Sequence, residues 1–269
     1  MKRTHTAAHA HPRHRLTRQE HTQRRTRKQT CAPLVDAPIR ERNMASTNAQ
    51  HVWYASFGSN MCSERFACYL RGGKVEGMVK ECVGARHAHL PFKLPPTPDC
   101  PVTSMRVPHR MFFAKSSPMW RHGGVAFLDV SRHEADDDFF TWMRLYRVSL
   151  DCFNDVLAQE NGFDPRQDDA FERFSPEEVV DMGLKKSGDH RVKGTWYGYV
   201  QSLGMFPNAQ DAEPILTFTL PPDSMETIDD AINPPSREYH DVIARGLIEL
   251  GVSDEVAHQY LERRYTFAN

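Results

Sequence analysis

The stretch Tyr54 to Asn60, YASFGSN, decides how the rest of the chain is read. It follows an apolar Val52-Trp53 pair and precedes MCSERFACYLRGG, so a strand-like run stops at Gly-Ser-Asn and passes straight into a helix-like pattern. Val52 to Phe57 is short, aromatic and apolar, as a buried strand requires. Gly58 breaks it, and Ser59 or Asn60 offers a side-chain oxygen to cap a helix. Cys62, Phe66, Tyr69 and Leu70 then fall at i, i+4, i+7 and i+8 on one helical face, which Gly72-Gly73 ends. Main-chain N–H groups leaving a strand and entering a helix converge on one concavity, and the helix start adds partial positive charge. The stretch is either a capped turn or a cradle for a carboxylate or phosphate.

Downstream the pattern alternates between strands and helices. Residues 80 to 110 carry repeated Pro and three His with no long periodicity, which predicts short strands in irregular loops. Arg110 to Lys115 and Gly124 to Val130 read as strands separated by SSPMWRHG, and the acidic run Glu134 to Asp138 as a solvated turn. Leu145 to Ser149 alternates as a strand. From Leu150 the chain turns helical, with Phe153, Val156 and Leu157 as its apolar stripe and Gln159-Glu160 at its end before Asn161-Gly162. Residues 163 to 192 form a polar excursion with a short helix near Ser175 to Met182. Thr195 to Gln201 and Pro214 to Leu220 give a second strand pair, and Ser236 to Arg264 gives two helices joined at Gly251-Val252-Ser253. The fold class is α+β.

The 269 residues, 39% of them apolar, suffice for one sizeable core, and the net charge of −1 conceals an asymmetry. Residues 1 to 43 hold eleven Lys or Arg against Glu20, Asp36 and Glu41, a balance of +8 that leaves −9 on the remainder. So basic a segment, nearly free of large apolar residues, cannot offset its chain entropy by burial. Residues 1–48 are therefore expected to be a disordered tail, or an upstream extension ahead of a start at Met44, and residues 49–269 the domain. RRTRK at Arg24 to Lys28 could touch nucleic acid or serve as an address, the only route by which nucleic acid enters the reading. Six scattered cysteines without CxxC pairs suggest reduced thiols, and no apolar run is long enough for a membrane span or a signal. A cytoplasmic location follows as an expectation.

Absences prune the chemistry. GxxxxGK[ST], GxGxxG opening a helix, HExxH and GxSxG are all missing, and Asp136 to Asp138 lacks the spacing of a calcium loop. Neither a cofactor nor a metal is expected.

Taken in order, YASFGSN, WRHGGVAF (120–127), LAQENG (157–162) and PPSREY (234–239) resemble the γ-glutamylcyclotransferase-like family, over about residues 52 to 264. That family opens with a [FY]xxYGSN loop. It continues with a WHGG-type strand start, a helix ending in a Gln-Glu-Gly-like turn, and a PSPxY segment leading into a helix pair with a LGLPxxY-like connection, matched here by Leu250-Gly251-Val252 and Tyr260. Each motif is weak alone; four in order are far more specific.

The resemblance implies a small mixed β-sheet or barrel with flanking helices. It also implies an enzyme that cleaves a γ-glutamyl amide by intramolecular acyl transfer, in which the α-amine attacks the γ-carbonyl to give 5-oxoproline and a free amine or amino acid. Glu160 would be the general acid/base, its pKa raised by partial burial. Tyr54, Ala55, Ser56, Phe57, Gly58, Ser59 and Asn60 would bind the substrate, with loop N–H groups on its α-carboxylate, and Tyr197 and Tyr239 would assist. The partner is a small γ-glutamyl compound, and a homodimer is left open. One departure stands out: the family's tyrosine in YGSN is Phe57 here.

Two rivals remain. Cys62, in the first turn after the loop, could be a thiolate nucleophile of an amidohydrolase with His87, His89 or His122 as base. Alternatively the domain only binds, and the basic tail adds nucleic-acid contact.

Overall fold

The expected strand at Val52 is β1 (His51–Ser56), which runs through the middle of a six-stranded sheet. The computed structural model describes residues 51–86, 103–131, 140–206, 213–227 and 232–265. The sheet also contains β2 (Thr103–Val107), β5 (Thr141–Ser149), β6 (Gly188–His190), β7 (Tyr199–Phe206) and β8 (Glu213–Thr219), and a separate hairpin pairs β3 (Met111–Ala114) with β4 (Val125–Leu128). The order is β2-β5-β1-β8-β7-β6. Only β1 and β8 are parallel, with Trp53 beside Ile215 and Tyr54 beside Leu216. A central strand flanked on both edges tolerates a nearly continuous apolar run, which is what HVWYAS supplies. The expected mixed sheet is present. No closed barrel is traced among the described residues, where the ladders end at β2 and β6 with none joining those two.

Among the described residues five α-helices accompany the sheet: α1 (Ser63–Arg71), α2 (Leu150–Glu160), α3 (Pro176–Lys185), α4 (Arg237–Glu249) and α5 (Asp254–Glu262). Four begin at a serine whose hydroxyl accepts a first-turn N–H: Ser149 from Cys152, Ser175 from Glu178, Ser236 from Tyr239 and Ser253 from Val256. Each such cap contributes about 1 kcal/mol. The fifth differs. Neither Ser59 nor Asn60 caps α1; a 3-10 turn (Ser59–Met61) intervenes, and Cys62 stands at the cap without a side-chain bond. The N–H of Ser63 instead donates to the carboxylate of Glu249, at the far end of α4, 3.2 Å from one oxygen. Glu249 also pairs with Arg144 of β5, a side chain 1% exposed that donates to the carbonyl of Met61 at 2.7 Å.

Two close approaches explain glycines in the motifs. A Cβ on Gly124 would sit 1.8 Å from the carbonyl oxygen of Asn233, and one on Gly123 would sit 2.2 Å from the nitrogen of Ser236, so the hairpin and the PPSREY segment lie backbone against backbone. On α4, a Cβ at Gly246 would fall 2.4 Å from the carbonyl carbon of Met61, so that helix rests directly on the turn after Gly58.

The polar excursion after α2 is held by Arg191, 6% exposed, between Glu172, Glu178 and Asp189, while Arg173 reaches buried Asp155 of α2 at 2.8 Å. One boundary differs from the expectation. β7 begins at Tyr199 and not at Thr195, because Thr195 donates to the carbonyl of Val192 and Gly198 accepts from its N–H, closing a turn that contains Tyr197. The acidic run at 134–138, the Pro-rich stretch at 91–101 and the basic tail lie outside the described residues.

Candidate active site around Glu160

β1, the turn after it, α1, the β3–β4 hairpin, the end of α2 and the start of α4 enclose a cavity of about 190 Å³. Tyr54 and Ser56 line it from β1, followed by Phe57, Gly58, Ser59 and Asn60; Glu160, Tyr197 and Tyr239 complete the set expected from the sequence. Ala55 does not belong to it. Successive residues of a strand point to opposite faces, so with Tyr54 and Ser56 on the cavity side Ala55 is turned away, fully buried opposite Leu145.

Glu160 closes α2 as a partly buried residue. Asn60 Nδ2 donates to its Oε1 at 3.0 Å and to the hydroxyl of Tyr54 at the same distance, so a residue expected to cap a helix holds the carboxylate instead. Burial pushes the Glu160 carboxyl above its ordinary pKa. The charge of Arg65 and hydrogen bonds from Tyr69 and Asn60 pull it part of the way back. Neighbouring Gln159 fixes the helix end, accepting from Gly84 N at 3.1 Å and donating to the Tyr69 carbonyl at 2.9 Å.

The hairpin positions two tyrosines through one residue. The N–H of Ala126 donates to the hydroxyl of Tyr239 at 3.1 Å, and the hydroxyl of Tyr197 donates to the carbonyl of Ala126 at 2.9 Å. Tyr239 also accepts from the N–H of Ser59, and burial pushes its pKa up to about 12. With two N–H donors on its oxygen, its proton is available to a further acceptor. Gly58 belongs here by space, since a Cβ would lie 3.0 Å from that hydroxyl.

Sequence reasoning missed several lining residues: Arg65, Tyr69, Met119, Trp120, Gln159 and Trp196. Arg65 had a signal, because it lies three residues after Cys62 and four before Tyr69, on the very face taken as apolar. The thiol rival fares poorly. Cys62 is 1% exposed, does not line the cavity, and burial pushes its pKa up. His87 and His89 lie outside the described residues, and His122 sits on an exposed turn beside Ser116. Away from the cavity, His240, Asp241 and His258 bring three ligand-type atoms within 4.8 Å of one another across α4 and α5. Separate helices carry them, which no local spacing could reveal. No described helix is long and apolar enough to cross a membrane.

No family model matches the chain. Histone deacetylase 5 of Arabidopsis thaliana is 39% identical to it over 217 residues, covering 79% of the chain and 30% of that protein, so the chain spans less than a third of this curated relative. Among solved structures, one described as a gamma-glutamyl cyclotransferase is similar at a TM-score of 0.41 with 15% identity, over 78% of the chain and 86% of its own length.

Proposed function

We propose that the chain is a γ-glutamylcyclotransferase-type enzyme with Glu160 as its proton carrier. The observation that carries this reading is convergence: residues of all four sequence motifs, Asn60, Ala126, Glu160 and Tyr239, line one cavity around a carboxyl whose proton affinity is raised by burial.

The chemistry follows from that placement. Glu160 takes a proton from the substrate ammonium, and the freed amine attacks the γ-carbonyl carbon of the same molecule. The carbon–nitrogen bond to the leaving amine then breaks as Glu160 returns the proton to that nitrogen, and the second proton of the attacking nitrogen follows through the same carboxylate, so the ring closes as a neutral lactam and the amine leaves as its ammonium. The products are 5-oxoproline and a free amine or amino acid; no water is consumed. A carboxyl above its ordinary pKa serves both half-steps better than a free one, since it accepts a proton from the ammonium more readily and can hand it on to the leaving nitrogen. Enclosure keeps the γ-glutamyl chain folded so that nucleophile and carbonyl meet. Tyr239, with its proton available, suits the γ-carbonyl oxygen as negative charge develops there.

The test is a panel of γ-glutamyl dipeptides, γ-glutamyl amines and glutathione, with 5-oxoproline as the readout and an acetyl-lysine peptide alongside. Cyclised product that disappears in Glu160→Gln is expected. Acetyl release with no 5-oxoproline from any member would replace this reading with that of the relative's name.

A further inference from the structure

Arg65 is the most deeply buried cation at the cavity, 1% exposed, yet no carboxylate among the described residues pairs with it. Its Nη1 donates to the sulfur of Cys82 at 3.3 Å and its Nη2 lies 3.8 Å from the sulfur of Met119. The guanidinium carbon stands 4.2 Å from the centre of the Tyr69 ring, and its Nε has no hydrogen-bond partner. Sulfur is a weak acceptor, and a guanidinium cannot shed its charge. The Tyr69 side chain is a further hydrogen-bond partner, but it too is neutral, and a buried cation held only by neutral groups is costly unless an anion joins it.

Glu160 feels that charge across the same cavity. The two groups make no ion pair with each other, so one cation and one carboxylate face a common space. That is the complement of a zwitterion. The alternative cradle is partly spent, because the start of α1 is taken by Glu249 and the N–H of Ser59 by Tyr239.

We infer that Arg65 is the anchor for the α-carboxylate of the ligand, with Glu160 receiving the α-ammonium. This places the α-amino acid end of the ligand between α1 and the end of α2. It deepens the proposed function and rests on its assignment of Glu160, but carboxylate binding at Arg65 is measurable without turnover.

The probes are 5-oxoproline and 2-pyrrolidinone, the same ring without the carboxylate, titrated calorimetrically into the full chain. Wild type is expected to bind 5-oxoproline about ten- to a hundredfold more tightly, as one charge-assisted contact provides. In Arg65→Met that preference falls to a few-fold, and Arg65→Lys keeps part of it. Unchanged discrimination in folded Arg65→Met, or none in wild type, overturns the proposal. Should neither variant fold, the Nε–H resonance of Arg65 in wild type decides: it moves with 5-oxoproline and stays with 2-pyrrolidinone if the anchor is right, and responds to both or neither if it is wrong. Discrimination through Arg65 with no turnover of any γ-glutamyl compound would retain the anchor and remove the cyclisation reading. Turnover with discrimination independent of Arg65 would do the reverse.

Discussion

Asn60 Nδ2 and Glu160 Oε1 lie 3.0 Å apart, joining the loop after the first described strand to a helix end 100 residues later. The amide favours the ionised carboxylate, because a donor on a carboxylate stabilises its charge. Asn60→Ala is therefore expected to raise the Glu160 pKa further. The acid limb of kcat/KM against pH should move to higher pH, with a loss of about tenfold or more at neutrality. An unmoved limb would show that the contact does not tune the carboxyl.

Glu160→Gln should abolish turnover, by at least about a hundredfold, and yet stabilise the fold at neutral pH. The folded carboxyl keeps its proton to a higher pH than the unfolded one. Between those two values the folded chain binds more protons, so this group's effect on wild-type stability worsens as pH rises. The Tm advantage of the variant should thus be absent at acid pH, where both states are protonated, grow as pH rises above the ordinary carboxyl value, and level off once the folded carboxyl has also ionised. A pH-independent difference would contradict the assignment.

Glu249 ties three elements, and its loss leaves Arg144 buried and unpaired. Glu249→Ala should cost about 3 to 5 kcal/mol in a urea melt. Arg144→Met, which removes the charge along with the need for a partner, should cost less, and the double variant less than the sum.

Gly58→Ala tests the spacing under Tyr239. The added methyl would sit 3.0 Å from the hydroxyl and 3.4 Å from the Ala126 Cβ, so the ring must shift and its bond to Ala126 weaken. A cost of about 1 to 3 kcal/mol is expected. In a Tyr239→Phe background, where no hydroxyl stands in the way, the same substitution should cost measurably less. Equal costs in both backgrounds would mean that something other than this oxygen fixes the glycine.

Much of this was legible locally. Serine caps and apolar periodicity place α2, α4 and α5 within a residue or two, since hydroxyl-to-backbone bonds and amphipathic faces are written in adjacent residues. What escaped depended on distant chain. Asn60 reads as a cap, and only the arrival of Glu160 gives it another partner. The start of α1 has no local cap because Glu249, 186 residues on, serves there. Arg65 was masked by a simpler cause: a cation on an apolar stripe is easily taken for the edge of the stripe. Ala55 was included because a motif is carried over as a block, whereas a strand divides its residues between two faces.

The contact of Gly246 with Met61, together with Glu249 on Ser63, also sets an order of assembly. The loop that opens the folded region emerges from the ribosome first, but the helix that seats it is made almost 200 residues later. Translation at about 5–20 residues per second separates the two by roughly ten seconds or more. During that interval the nascent chain carries the loop without its seat, so the cavity stays incomplete until α4 has been made.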